Sequence, residues 1–240
     1  MTKQYENLIN ACNTKVNNSI YKTFILAIMA GIFISIGAIS NIIAQNVFVG
    51  NTGKLIGSIL FSIGLILVFV STGELFTGNN LMICGRLDNI VSIKNIIKNW
   101  IIVYVGNFIG CIGMSILIYF SKIFNNKIIN NINTMIIAKD SKTFITLLVL
   151  GILCNMLVCL AVWMNYNSTS VIDKILIPIV PITVFVFCGF EHSVADMFYL
   201  SINSLYNLNL QSFLILIPVT IGNIIGGAFI GLMYYLSNNK

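Results

Sequence analysis

The sequence predicts an all-α membrane protein: six transmembrane helices in an inverted repeat, with the second and fifth helices broken. Three observations predict it. Of 240 residues, 58% are hydrophobic and only 8% charged, where a soluble domain carries about 25% charged residues. The apolar residues form long uninterrupted runs, not the short alternating segments of a β-barrel. Two of those runs are interrupted at corresponding points, by Gly73-Glu74 and by Gly189-Phe190-Glu191.

The elements follow in order. Met1 to Lys22 is a polar lead-in, expected on the cytoplasmic side, and no cleavable signal peptide is expected. The first span falls at about 24–48, inside the uncharged stretch Thr23 to Gly53. Lys54 marks a turn, and a second run from Leu55 to Thr72 meets Gly73-Glu74-Leu75-Phe76-Thr77-Gly78-Asn79-Asn80. There the glycines supply backbone freedom and Thr77, Asn79 and Asn80 supply polar caps. The third span is Asn99 to Ser121, followed by a polar, asparagine-rich loop with Lys122, Lys127, Lys139 and Lys142. The fourth is Phe144 to Met164; the fifth starts at Ile175 and breaks between Gly189 and Asp196; the sixth lies within Leu210 to Leu236. No soluble domain or linker separates them, so residues 1–240 read as one six-span unit, with repeat halves at about 23–121 and 143–236.

The repeat rests on more than the two glutamates. Gly-Asn-x-x-Gly occurs at Gly106-Asn107 to Gly110 and at Gly222-Asn223 to Gly226. Glu74 precedes Asn107 by 33 residues, and Glu191 precedes Asn223 by 32. An odd number of crossings per half inverts one half against the other, and interrupted helices in corresponding positions point to a transport site at their interface. The small residues let helices approach closely. Asn107 and Asn223 are expected to tie down the broken backbone.

The net charge of +6 does not indicate nucleic acid, because the basic residues lie between the spans, where they set orientation and meet anionic headgroups. With the N-terminus inside, eight basic residues, Lys240 among them, face the cytoplasm and five lysines face outward. That predicts a multi-pass protein of the cell (inner) membrane with both termini cytoplasmic, and an outer mouth that attracts anions. The six cysteines form no Cys-x-x-Cys pair and read as small apolar packers. No metal site and no cofactor are expected.

His192 is the only histidine. An ionisable residue at membrane depth in a helix break is a functional candidate, and imidazole is suited to lending a proton or a positive charge to a passing anion. Thr77, in the opposite break, is placed to hydrogen-bond it. Glu74 and Glu191 read as acceptors for loop N–H groups, since neither a nucleophile nor a metal cluster accompanies them; the protein is not expected to be an enzyme. Asp196 reads as an N-cap. Lys139, just before the fourth span, is a candidate for focusing anions. Phe61, Leu65, Leu75 and Phe185 are candidates for hydrophobic constrictions.

Four stretches resemble the formate/nitrite transporter family: Gly73 to Asn79, Asn99 to Asn107, Gly151 to Met164 and Gly189 to Phe198. The resemblance implies an aquaporin-like protomer in the lipid bilayer, a homopentamer, and one pore per protomer for a small monovalent anion such as formate, nitrite or hydrosulfide. It places the family's central histidine on His192 and its loop threonine on Thr77. It places the basic residue before the fourth span on Lys139 and its asparagine neighbour on Asn155. The two slits fall on Phe61, Leu65, Leu75 and Phe185. Asp196 stands where formate and nitrite members carry asparagine, and the combination resembles the hydrosulfide branch most. The alternative is an aquaglyceroporin-like neutral-solute pore, which calls for Asn-Pro-Ala at both breaks; neither break contains proline.

Overall fold

A computed structural model describes residues 1–48 and 50–238; Lys240, counted above for orientation, lies outside them. The described residues form helices and 3₁₀ turns with no strand, and six helical segments are long and apolar enough to cross a membrane. The predicted fold class holds.

α1 (Lys3–Asn17) precedes the first span, α2 (Ile20–Val47). The second crossing is α3 (Gly50–Phe61) followed by α4 (Ile63–Val70). After the break come α5 (Phe76–Asn79), a 3₁₀ turn at Asn80–Met82 and α6 (Ile83–Leu87). α7 (Ile93–Ser121) is the third span, and α8 (Asn126–Asp140) connects it to α9 (Phe144–Asn165), the fourth. α10 (Val171–Leu176) and α11 (Ile179–Cys188) make the fifth crossing. α12 (Ser193–Asn207) follows the second break, and α13 (Leu216–Asn238) is the sixth span.

Two helices replace what composition reads as polar connections. α1 is not a loose lead-in: Tyr5, Leu8 and Cys12 recur at helical spacing, and all three are buried. Burial of Cys12 also pushes its thiol up to about 11, as expected of a packing cysteine. The asparagine-rich loop contains α8, which buries Ile128, Ile132 and Ile136 at a four-residue period. Asparagine is a poor helix former, but one apolar stripe docked on the bundle outweighs that preference. The third span likewise begins at Ile93 rather than Asn99, capped by the Ser92 hydroxyl, which accepts from Asn95 N–H.

Each half closes on a glycine seam. A Cβ on Gly110 of α7 would lie 2.2 Å from the Ile28 carbonyl oxygen of α2, and one on Gly226 of α13 would lie 2.2 Å from that of Ile152 in α9. The helix pairs α2/α7 and α9/α13 are therefore in backbone contact, as small-residue seams permit. The opposite faces are apolar and exposed, as along Ile97, Ile101, Val105 and Ile109 of α7 and Ile217, Ile221, Ile225 and Phe229 of α13. Such stripes suit lipid or a neighbouring subunit, not water.

The breaks use backbone freedom differently from expectation. In the second, Gly189 ends α11 at φ +73°. In the first, the left-handed residue is Thr72, at φ 54°, and neither Gly73 nor Gly78 has a positive φ.

Candidate functional site

The two breaks are tied by the two asparagines in the same way. Asn107 Oδ1 accepts from Phe76 N–H at 3.0 Å, while its Nδ2 donates to the Ala27 and Glu74 carbonyls at 2.8 and 2.9 Å. Asn223 Oδ1 accepts from Ser193 N–H at 2.9 Å, and its Nδ2 donates to the Gly151 and Glu191 carbonyls at 2.8 and 3.0 Å. Each amide thus satisfies the first free donor of a half-helix and one carbonyl of the unwound chain, and ties them to a carbonyl of a neighbouring span, Ala27 in α2 or Gly151 in α9. Such groups are costly to leave unpaired when buried, and both asparagines are fully buried.

The glutamates do something else. Instead of loop N–H groups, the Glu74 carboxylate accepts from Lys15 Nζ at 2.8 Å and from Asn79 Nδ2 at 2.6 Å. Glu191 accepts from Lys142 Nζ at 2.6 Å and from Lys139 Nζ. Nor is Asp196 an N-cap. That place belongs to His192, whose Nδ1 accepts from Ala195 N–H at 3.1 Å. Asp196, one turn into α12, accepts from Lys139 at 2.8 Å. Lys139 is therefore no free cation. Burial disfavours its ammonium, but Asp196 and Glu191 outweigh burial and hold its pKa above the ordinary lysine range.

The cap on His192 fixes its chemistry. With Nδ1 accepting, the proton of the neutral ring sits on Nε2, which lies 2.9 Å from Thr77 Oγ1. Nε2–H donates to that oxygen, and the hydroxyl proton of Thr77 remains to be donated onward.

Around His192 a narrow chamber of about 10 Å³ is lined by Ile34, Phe61, Leu65, Leu75, Val158, Ile182, Phe185 and His192. His192 is the only polar side chain among them. That volume is at the threshold for a single water. The Phe185 ring stacks on the imidazole at 5.7 Å and meets Phe61 edge-on at 5.7 Å. On the side of the chain termini, Leu65 and Leu75 separate the chamber from a vestibule of about 430 Å³ that also contains Lys15, Lys22, Glu74 and Lys174. On the far side, Phe61, Phe185 and His192 itself lie between it and a vestibule of about 260 Å³ containing Lys54, Lys139, Lys142, Glu191 and Asp196. The four constriction candidates thus meet at one chamber, with His192 at its wall.

Thr77 is fully buried behind the ring. Asn155 lies apart from Lys139's partners: its Nδ2 donates to Asn80 Oδ1, the Asn223 carbonyl and the Thr77 carbonyl at 2.8, 2.6 and 3.2 Å. It ties the first break to α13 and lines neither vestibule nor chamber. Sequence reasoning missed Lys15 and Lys142 as partners of the glutamates. The periodic apolar residues of α1 are the signal that points to a docked helix carrying Lys15.

Inverted halves, paired helix breaks and an apolar chamber between two lysine-bearing vestibules define a membrane channel, not an enzyme. The comparisons agree on which one. The sequence profile described as "Formate/nitrite transporter" matches residues 2–236, and the chain belongs to the formate/nitrite transporter family. It is 37% identical to the formate channel FocA of Escherichia coli K12, over 90% of this chain and 86% of that one. It is 32% identical to the formate channel BtFdhC of Bacillus thuringiensis, over 98% and 94%. Among solved structures, a pentameric formate channel with formate bound superposes at TM-score 0.81 with 34% identity, covering 92% of this chain and 98% of that one. An FNT family ion channel superposes at TM-score 0.92 with 24% identity over 99% of both chains, a likeness of fold.

Proposed function

We propose that the chain conducts small monovalent anions along the path from one vestibule through the His192 chamber to the other. The single observation that carries this is a chamber whose only polar lining is His192, backed by Thr77 at 2.9 Å and closed by apolar side chains on both sides. A bare anion in an apolar slit is heavily penalised. A donor at the midpoint offsets that penalty, either by hydrogen bonding or by lending a proton so that the neutral acid passes. Thr77 holds Nε2 and offers its own hydroxyl proton; Phe61, Leu65, Leu75 and Phe185 strip water on either side. Because the chamber is closed at about 10 Å³, passage requires these side chains to move. The excess of lysines over carboxylates in both vestibules draws the anion inward.

Formate is the anion we favour, because FocA, at 37% identity, and BtFdhC, at 32%, are formate channels by name. The hydrosulfide preference drawn from Asp196 has no support among those relatives, and neither is named for nitrite. The pentameric neighbour favours a homopentamer with one pore per protomer. The excess of lysines beside the terminal ends favours both termini in the cytoplasm of a cell whose inner membrane holds the protein.

Flux of formate, nitrite and hydrosulfide measured in one proteoliposome preparation tests this. Formate is expected to pass fastest, and glycerol is expected not to pass. A glycerol permeability matching that of formate would make the neutral-solute reading correct. A flux and pH dependence unchanged in His192→Ala would remove the histidine from the mechanism.

A further inference from the structure

The two vestibules are related by the repeat, and one departure from that relation changes a charge. Five residues after each glutamate stand Asn79 and Asp196. Asn79 donates to the Glu74 carboxylate at 2.6 Å and adds no charge. Asp196 adds a second carboxylate beside Glu191, bound through one oxygen to Lys139 at 2.8 Å; its other oxygen, Oδ2, is buried and has no hydrogen-bond partner among the described residues. Each vestibule contains three lysines. The terminal-side one sets them against Glu74 alone, for a net charge of +2. The far one sets Lys54, Lys139 and Lys142 against Glu191 and Asp196, for a net charge of +1.

We infer that Asp196 is the residue that makes the channel electrically one-sided: it weakens anion capture in the far vestibule relative to the terminal-side vestibule. The inference rests on the reading of the chain as an anion pore and adds a direction to it. At about pH 8 Asp196 is a negative charge beside the Lys139 ammonium, and both line the far vestibule that an anion enters. Its free oxygen makes no hydrogen bond to offset its own burial, which a purely structural carboxylate in this place would be expected to make. Asparagine at 196 would keep an oxygen for Lys139 and gain an amide to give Glu191, the arrangement already present between Asn79 and Glu74. The charge is therefore the property that the position adds.

The test is the half-saturating anion concentration, measured separately from each side of the full-length protein inserted in one orientation in a planar bilayer. It uses whichever of formate, nitrite and hydrosulfide the wild type passes fastest, at about pH 8, where a lysine-paired carboxylate is ionised. In the wild type the far side is expected to need the higher concentration, and raising the ionic strength to about 1 M should bring the sides together. Asp196→Asn is expected to lower the far-side value roughly three- to tenfold and to leave the other side unchanged. Asp196→Glu, which keeps the charge, is expected to behave as wild type. Equal values from the two sides in the wild type, an Asp196→Asn effect on both sides alike, or an Asp196→Glu that behaves as Asp196→Asn would each overturn the inference. If Asp196→Asn fails to fold, the wild-type sidedness and its salt dependence still decide the matter. A wild type that passes none of the three anions overturns the pore reading itself, and this inference with it.

Discussion

At the scale of single residues, the site is decided by who occupies each polar atom. His192 Nδ1 is taken by Ala195 N–H, so everything it can offer leaves through Nε2 and Thr77. Thr77→Val, which keeps the shape and removes the hydroxyl, is expected to lower anion flux about tenfold or more, while Thr77→Ser stays near wild type; stopped-flow flux in proteoliposomes separates the two. Asn223→Ala strands Ser193 N–H and the Glu191 carbonyl and removes the second donor from the Gly151 carbonyl inside α9. It should destabilise by about 1–3 kcal/mol per group left unpaired, seen as a lower thermal unfolding midpoint in detergent. Asn107→Ala should match it, because the repeat gives it the same three partners in kind. His192, by contrast, has no polar equivalent: the residue after Glu74 is Leu75, so the repeat places an apolar side chain opposite the imidazole. The raised pKa of Lys139 means that its contribution to stability is fully present below the ordinary lysine pKa of about 10.4 and is lost only as pH rises through the higher folded value. Thermal stability measured from neutral pH up to about 10 should therefore show no loss attributable to this lysine.

At the scale of elements, the glycine seams and the two docked helices do different work. Gly226→Val would set a branched side chain against the Ile152 carbonyl, 2.2 Å from where its Cβ must stand. Neither backbone can yield without separating α9 from α13, so the expected result is loss of a monodisperse peak on size exclusion, a cost of about 3 kcal/mol or more. α1 is held by Lys15 on Glu74, by Tyr5 Oη on Asp88 at 2.8 Å, and by Gln4 and Asn7 on the Trp163 and Tyr166 carbonyls at 2.6 and 2.9 Å. It therefore bridges the two halves across the terminal-side vestibule. Lys15→Ala leaves a largely buried carboxylate short of its cation. Faster amide exchange in the last turns of α1, with the spans unaffected, is the expected readout. α1 and α8 were harder to read than the spans because each buries only one narrow stripe; most of their residues are polar or face outward, and composition follows the majority.

At the scale of the whole molecule, the design is two inverted halves joined at their breaks, with Asn155 reaching from α9 to Thr77, Asn80 and Asn223 at once. The apolar outer stripes of α7 and α13 leave a surface for lipid and for other copies of the chain. A mass corresponding to five chains in native mass spectrometry is the expected outcome, and a monomer would remove the pentamer from the proposal. Much of this was legible in the sequence, for a physical reason. Spanning a membrane demands apolar runs of fixed length, and a break inside one leaves backbone groups that polar side chains must satisfy, which here recur at matching intervals in both halves. So the six spans, the two breaks, the repeat and the candidacy of His192 follow from residue types and spacing alone. The partners of the charges do not. Whether Glu74 meets an N–H or Lys15, whether Lys139 stands free or lies between Glu191 and Asp196, and whether Asn155 faces the pore or ties the first break to α13 depend on contacts between segments 50 or more residues apart. Those contacts exist only once the two halves have packed, and only the tertiary structure decided them.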